Sequence, residues 1–147
     1  MNIALASDHA GFLYKERMKS FLESLNHTWV DYGTNSQERC DYPDFAHAGA
    51  EGILRGECER GIFVCGSGIG IGMAAGKHHG IRAASCQSIE AARLSRLHND
   101  ANVLCIGSRL SSWEEATEMV TVFLVTEFED GRHTDRVRKI EISSDEQ

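Results

Sequence analysis

The feature that most constrains this 147-residue chain is a series of short, uncharged, apolar runs. Each is closed by a glycine or small polar residue and followed by an amphipathic stretch. Ile3-Ala4-Leu5-Ala6, Ile62-Phe63-Val64-Cys65 and Val103-Leu104-Cys105-Ile106 show no polar alternation, which reads as strands buried on both faces. Thr28–Tyr32 and Ile81–Ala84 supply two more strand candidates. Between them lie helix patterns: Phe12–Leu25 with Met18, Phe21, Leu22 and Leu25 at helical spacing, a short one after Pro43 ending at Gly56, Ile69–His78, Ser88–Leu97, and one opening at Ser112 with Glu115 three residues into it, the signature of a capping box. A last, basic helix is expected over Arg132–Ile140. Strand–helix alternation of this kind predicts an α/β fold, a three-layer doubly wound (Rossmann-like) sandwich around a roughly five-stranded parallel sheet. Residues 1–147 are expected to form a single domain that ends in the basic helix and an acidic tail over about 131–147, of which Ser143–Gln147 is expected to fray.

Fifteen Lys and Arg against 22 Asp and Glu leave a net charge of −7, which argues against sequence-independent binding to nucleic acid or a membrane surface. The five cysteines, at 40, 58, 65, 86 and 105, form no CxxC pair. The chain opens as a strand rather than as a leader, so a reducing cytoplasm is the expected location. The glycine-studded stretch Gly61–Gly76 is shorter than the ~20 apolar residues that cross a bilayer.

Open parallel sheets bind ligands at the carboxyl ends of their strands. Here those ends carry Ser7-Asp8-His9, Cys65-Gly66-Ser67-Gly68-Ile69-Gly70 and Gly107-Ser108-Arg109. The glycine loop suits a phosphate or a developing oxyanion, and it would depress the pKa of a thiol at its mouth. Equally, Cys65 suits a small core site and the glycines close packing; the residues alone leave both readings open. Gly76-Lys77 fails as a Walker A loop, because Ile71 and His78 stand where glycine and a hydroxyl are needed. Gly70-x-Gly72-x-x-Ala75 fits the loose dinucleotide pattern, but its first glycine lies inside the loop and no acidic residue closes the next strand, against NAD binding. Asp8 suits either a sugar hydroxyl or the cap of the next helix, and His98 either chemistry or a helix C-terminus. Arg132 and Arg136 share a helical face that suits a phosphate, or solvent and nearby carboxylates. Histidine spacing points to no metal site.

Taken in order, Asp8-His9-Ala10-Gly11, Arg39-x-Asp41-Tyr42-Pro43, Cys65–Gly70, Leu94-Ser95-Arg96-x-His98-Asn99-Asp100-Ala101-Asn102-Val103, Gly107-Ser108-Arg109 and Gly131-Arg132-His133-x-x-Arg136 make the chain resemble the type B ribose-5-phosphate isomerases. That family also holds the galactose-6-phosphate isomerase subunits and allose-6-phosphate isomerase. The resemblance implies interconversion of ribose 5-phosphate and ribulose 5-phosphate through a cis-enediol, without metal or cofactor. It implies that Cys65 is the base between C1 and C2, that Ser67 bonds the reacting oxygens, and that backbone groups of Gly66, Ser67, Gly68, Ile69 and Gly70 form the anion hole. His98 would open the sugar ring, with Asp8 positioning it and the sugar. His9, Arg109, Arg132 and Arg136 would hold the phosphate, and Tyr42 and Asn99 would line the sugar pocket. It further implies a homodimer with shared sites, possibly paired into a tetramer, in which His98, Asn99 and Arg109 come from the partner chain. Ile71 stands where one branch of the family carries a catalytic Glu, so Cys65 places this chain in the cysteine branch. The alternatives are a six-carbon phosphosugar substrate, a non-catalytic phosphosugar-binding regulator, and a redox-sensing thiol protein.

Overall fold

The structure, a computed structural model, describes residues 1–143; residues 144–147, most of the acidic tail, lie outside the described residues. The elements follow as β1 (Asn2–Ser7), α1 (Phe12–Ser24), β2 (Thr28–Asp31), α2 (Tyr42–Leu54), β3 (Arg60–Cys65), α3 (Ile69–Ala75), β4 (Ala83–Ser85), α4 (Ile89–Asn99), β5 (Val103–Gly107), α5 (Trp113–Val125), a 3-10 turn (Gly131–His133) and α6 (Thr134–Arg138). All strands run parallel in the order β2-β1-β3-β5-β4, with Leu5 beside Ile62 and Ile62 beside Leu104. The expected doubly wound α/β sandwich is the observed one.

Alternate residues of each strand feed two cores, as the period of a strand requires. Ile3, Leu5, Ile62, Val64, Leu104 and Ile106 pack with Met18 and Leu22 of α1, Ala92 of α4, and Met119, Val120 and Phe123 of α5. Ala4, Ala6, Phe63 and Cys105 pack on the other face with Ala46 and Ala50 of α2 and Ile71, Ala74 and Ala75 of α3. The starts of α4 and α5 are fixed by hydroxyls. Ser88 Oγ accepts from the Ala91 N–H at 3.1 Å. Ser112 accepts from the Glu115 N–H at 3.1 Å while the Glu115 carboxylate takes the Ser112 N–H at 3.2 Å, the capping box expected from the residues.

Three local expectations are corrected. Strand β4 begins two residues later than expected, because the Arg82 N–H bonds the Asn102 side chain at 2.7 Å instead of a neighbouring strand. Helix α3 stops at Ala75 rather than His78; Gly76 caps it and Gly80, at φ +90°, turns the chain. The basic helix expected over Arg132–Ile140 is a 3-10 turn and a five-residue helix with no buried residue of its own. Too few apolar positions face the core there to hold a longer helix. Consequently Arg132 and Arg136 do not share one continuous helical face.

Helices α1 to α5 each carry the chain from the carboxyl edge of the sheet back toward its amino edge. This sorts the chemistry-bearing residues by position. Asp8, Cys65 and Arg109 lie at or just past the carboxyl ends of β1, β3 and β5, three adjacent strands. His98 and Asn99 end α4, just before β5 starts, and so stand at the opposite edge.

Candidate active site

At the carboxyl edge, Asp8, Tyr42, Cys65, Gly66, Ser67, Ile69, Gly70, Met73, Arg109 and Leu110 line an open cleft of about 570 Å³. It lies where the chain switches direction, β1 leading left to β2 and β3 leading right, the usual ligand position in such sheets. Cys65 is only 3% exposed, yet it lines the cleft rather than facing away from it. Its Sγ accepts from the Gly68 N–H at 3.2 Å. The Ile69 N–H bonds Ser67 Oγ at 3.2 Å, which curls the loop into a nest around the sulfur.

Glycine is required at two crossings in this loop. Gly68 has φ +76°, and a Cβ on it would lie 2.8 Å from the Ile106 carbonyl carbon and 2.9 Å from the Gly107 nitrogen. A Cβ on Gly107 would in turn meet the Ser67 backbone at 2.6 Å. The loops after β3 and β5 are therefore interlocked. Hydrogen bonds from Ser108 N to Cys65 O at 2.9 Å and from Arg109 N to Gly66 O at 3.0 Å complete the join. The Tyr42 ring lies over Gly70, where a Cβ would be 2.5 Å from Cζ, so the aromatic roof and the glycine floor specify each other.

Asp8 does not cap α1; Gly11 does. Asp8 Oδ1 instead accepts from the Ala10 and Gly11 N–H groups at 2.9 and 3.1 Å, a short turn that presents the carboxylate to the cleft. His9 stands beside it, its Nδ1 accepting from the Cys40 N–H at 3.2 Å.

The second group of residues gathers at the opposite edge. The His98 and His133 rings stack at 4.3 Å between centroids and 18° between planes. Glu129 Oε2 lies 3.9 Å from His98 Nε2 and 4.0 Å from His133 Nε2, and Arg132 Nε donates to His133 Nε2 at 3.3 Å. Burial, then the neighbouring His98 and Arg132, push His133 below the ordinary histidine pKa. Arg136 adds to the positive field on it. Asn99 lines a neighbouring hollow with Arg82, Ala84 and Ile140. His98, Glu129 and His133 are spaced closely enough to hold a metal ion, a grouping that histidine spacing along the sequence did not reveal. The arginine on His133 and its neighbour Arg136 make the site better suited to an anion than to a cation. His133 and Glu129 were not singled out by sequence reasoning. The signal was present in Gly131-Arg132-His133, and only the fold shows that this turn meets the end of α4.

Arg109 is the clear correction. It was expected to come from a partner chain, but its guanidinium lies against Gly66 of its own chain, where a Cβ would be 3.1 Å from Nη1. The backbone bond from Arg109 to Gly66 dictates this. His98 and Asn99, by contrast, are separated from their own chain's Cys65 by the length of the sheet.

A profile described as Ribose/Galactose Isomerase matches residues 3–140. The chain belongs to the ribose/galactose isomerase family. Among its relatives within that family, ribose-5-phosphate isomerase B of Escherichia coli is 44% identical over 138 residues, covering 94% of this chain and 93% of the relative. The structure of Clostridium thermocellum ribose-5-phosphate isomerase B superposes with a TM-score of 0.94 at 46% identity, covering 95% of each chain. Ribose-5-phosphate isomerase B of Mycoplasma genitalium, solved with bound ribulose-5-phosphate, matches at a TM-score of 0.90 and 40% identity over 95% of this chain and 93% of that one.

Among the remaining cysteines, burial pushes the Cys58, Cys86 and Cys105 thiols above the ordinary range, which suits packing rather than redox sensing. Among the described residues no helix is long and apolar enough to cross a membrane.

Proposed function

We propose that this chain is an aldose–ketose isomerase that interconverts D-ribose 5-phosphate and D-ribulose 5-phosphate through a cis-enediolate. The observation that carries this reading is the Cys65 sulfur opening into a cleft it shares with Asp8, Ser67, Tyr42 and Arg109. Ribulose 5-phosphate bound to the Mycoplasma genitalium relative supports the substrate class.

In this reading the Cys65 thiolate takes the proton from C2 of the open aldose. The C–H electron pair forms the C1–C2 double bond, and the carbonyl pair moves onto O1. The proton is then returned to C1 as O2 becomes the ketose carbonyl. Ser67 passes a proton between O1 and O2, and N–H groups of the Gly66–Gly70 loop other than those of Gly68 and Ile69, which bond Cys65 Sγ and Ser67 Oγ, meet the charge on the oxygens. A single donor placed this way is worth about 3 kcal/mol of barrier. Arg109 and His9 hold the phosphate from this chain, and Tyr42 covers the sugar. Fixing the phosphate away from the reacting carbons supplies binding energy that orients them.

Ring opening requires an acid/base group in addition to Cys65. We assign it to His98 of a second copy, which also brings Asn99, Arg132 and Arg136. Two observations support the shared site: His98 and its neighbours lie at the edge away from Cys65, and the cleft is rimmed by Tyr42, Ile69, Met73 and Leu110, all exposed. The unit is then a homodimer, working without a metal or cofactor and with thiols kept reduced in the cytoplasm.

A coupled assay on the purified protein with ribose 5-phosphate, allose 6-phosphate and galactose 6-phosphate tests the substrate, with ribose 5-phosphate expected to turn over fastest; preference for either hexose phosphate refutes it. Cys65→Ala is expected to lower kcat by about 10²–10⁴, the usual scale for a general base, while ribose 5-phosphate still binds. Unchanged turnover removes the sulfur from the mechanism.

A further inference from the structure

We propose that the backbone N–H of Cys40 fixes the tautomer of His9, so that His9 meets the substrate phosphate as a neutral Nε2–H donor. This rests on the reading of His9 as a phosphate ligand, and it adds the form in which the ring acts.

The backbone on both sides of His9 is pinned. Asp8 Oδ1 holds the Ala10 and Gly11 N–H groups, and Ser108 Oγ donates to the Ala10 carbonyl at 2.8 Å. A Cβ on Gly11 would lie 2.2 Å from the Val64 carbonyl oxygen, so this turn sits directly on β3. With the backbone held, the ring orientation is decided by its inner edge. There the Cys40 N–H donates to Nδ1 at 3.2 Å, and Cys40 Sγ lies 3.9 Å from the same nitrogen. A thiol either donates or accepts, but an amide N–H only donates. A ring nitrogen that accepts carries no hydrogen, so in the neutral imidazole the hydrogen is on Nε2. Among the described residues Nε2 has no hydrogen-bond partner, so it is the nitrogen left to a ligand.

A phosphate monoester dianion offers only acceptor oxygens. Nε2–H satisfies one of them without a charge on the ring, and a charged ring would set a second N–H against the Cys40 amide. The positive charge at the site is left to the arginines, which recognise phosphate by paired donors. Cys40 is thus a positioning residue through its main chain; its side chain is incidental.

Two variants separate the inner and outer nitrogens. The amide of asparagine overlays Nδ1 of histidine, and that of glutamine overlays Nε2. His9→Asn keeps a partner for the Cys40 N–H but has no outer donor, and it is expected to raise KM for ribose 5-phosphate about ten- to a hundredfold, the value of a hydrogen bond to a charged group. His9→Gln keeps the outer donor and is expected to raise KM by no more than about threefold. On the unmutated protein, long-range 1H–15N correlation spectra of labelled histidine, with His9 assigned by its loss in His9→Gln, are expected to show Nδ1 bare and Nε2 protonated in the neutral ring.

A hydrogen on Nδ1 overturns the tautomer assignment. Nε2–H together with wild-type KM in both variants overturns the reading of His9 as a phosphate ligand, leaving the tautomer standing. His9→Gln weaker than His9→Asn shows that Nδ1 makes the contact and refutes the proposal.

Discussion

Co-refolding Cys65→Ala chains with His98→Asn chains tests whether two copies build one site. The two residues lie at opposite ends of β3 and β5, and at about 3.3 Å per residue a five-residue strand holds them roughly 16 Å apart before loops are counted. No side chain spans that distance, so neither group can serve the other within one chain. Each variant alone is impaired at every site. In a mixed dimer, one site takes its intact sulfur from the His98→Asn chain and its intact imidazole from the Cys65→Ala chain; the other site takes both defects. Equal mixing makes half the dimers mixed, each with one of two sites restored, so activity should recover to about a quarter of wild type for a two-fold symmetric pair. The assay is ribulose 5-phosphate formation from ring-closed ribose 5-phosphate after joint denaturation and refolding, with separately refolded parents combined afterwards as the control. A mixture no more active than the mean of its parents refutes the shared site.

Other consequences concern stability and the second half-site. Lys15 is fully buried and bonds Asp31 at 2.7 Å and Glu16 at 2.8 Å, while Asp31 also holds Lys19 at 2.8 Å and the Gly33 N–H at 2.8 Å. Removing the Asp31 charge leaves the buried Lys15 ammonium with Glu16 as its one remaining carboxylate, so Asp31→Asn should cost about 3–5 kcal/mol in urea denaturation, and Lys15→Met, which leaves Asp31 two partners, should cost less. Burial opposes ionisation of Asp31, but its hydrogen bonds from Lys15 and Lys19 prevail and hold its pKa below the ordinary aspartate value. Its contribution is therefore complete above about pH 4 and is lost as pH falls through the depressed folded value; a gap between wild type and Asp31→Asn that stays constant into strong acid would contradict this. Gly11→Ala should misplace Asp8 and His9 against β3, lowering kcat/KM at least tenfold; an unaltered kcat/KM would show that the 2.2 Å crossing relaxes freely. His133→Ala removes the ring stacked on His98 and should slow turnover of ring-closed substrate, whereas His133→Phe, which restores a flat ring, should recover part of it; equal loss in both would show that stacking is not what orients His98.

Much of this was legible in the residues, for local reasons. Continuous apolar runs such as Ile62–Cys65 can only be satisfied between two helical layers, and Ser112 with Glu115 writes its own helix start. The grouping of Asp8 with Cys65 followed from their places at strand ends. What escaped were effects of contact between distant segments. The slip of β4 depends on the Asn102 side chain reaching Arg82. The side of the sheet to which Arg109 belongs depends on one backbone bond to Gly66. The stacking of His133 on His98 depends on where α5 releases the chain, and neither histidine's neighbours in sequence hint at it.

The interlock of Gly68 with Gly107 also bears on how such a site can be altered. A wall in which each backbone occupies the space of the next residue's missing side chain tolerates no independent change: enlarging one position forces the adjoining loop to move. Within the glycine loop and the helix it opens, variation is then left to Ile69 and Met73, 45% and 68% exposed, which can gain or lose bulk while the backbone donors stay where they are. A randomised library over the loop should accordingly retain active clones with diverse residues at those two positions and with glycine alone at 68 and 107.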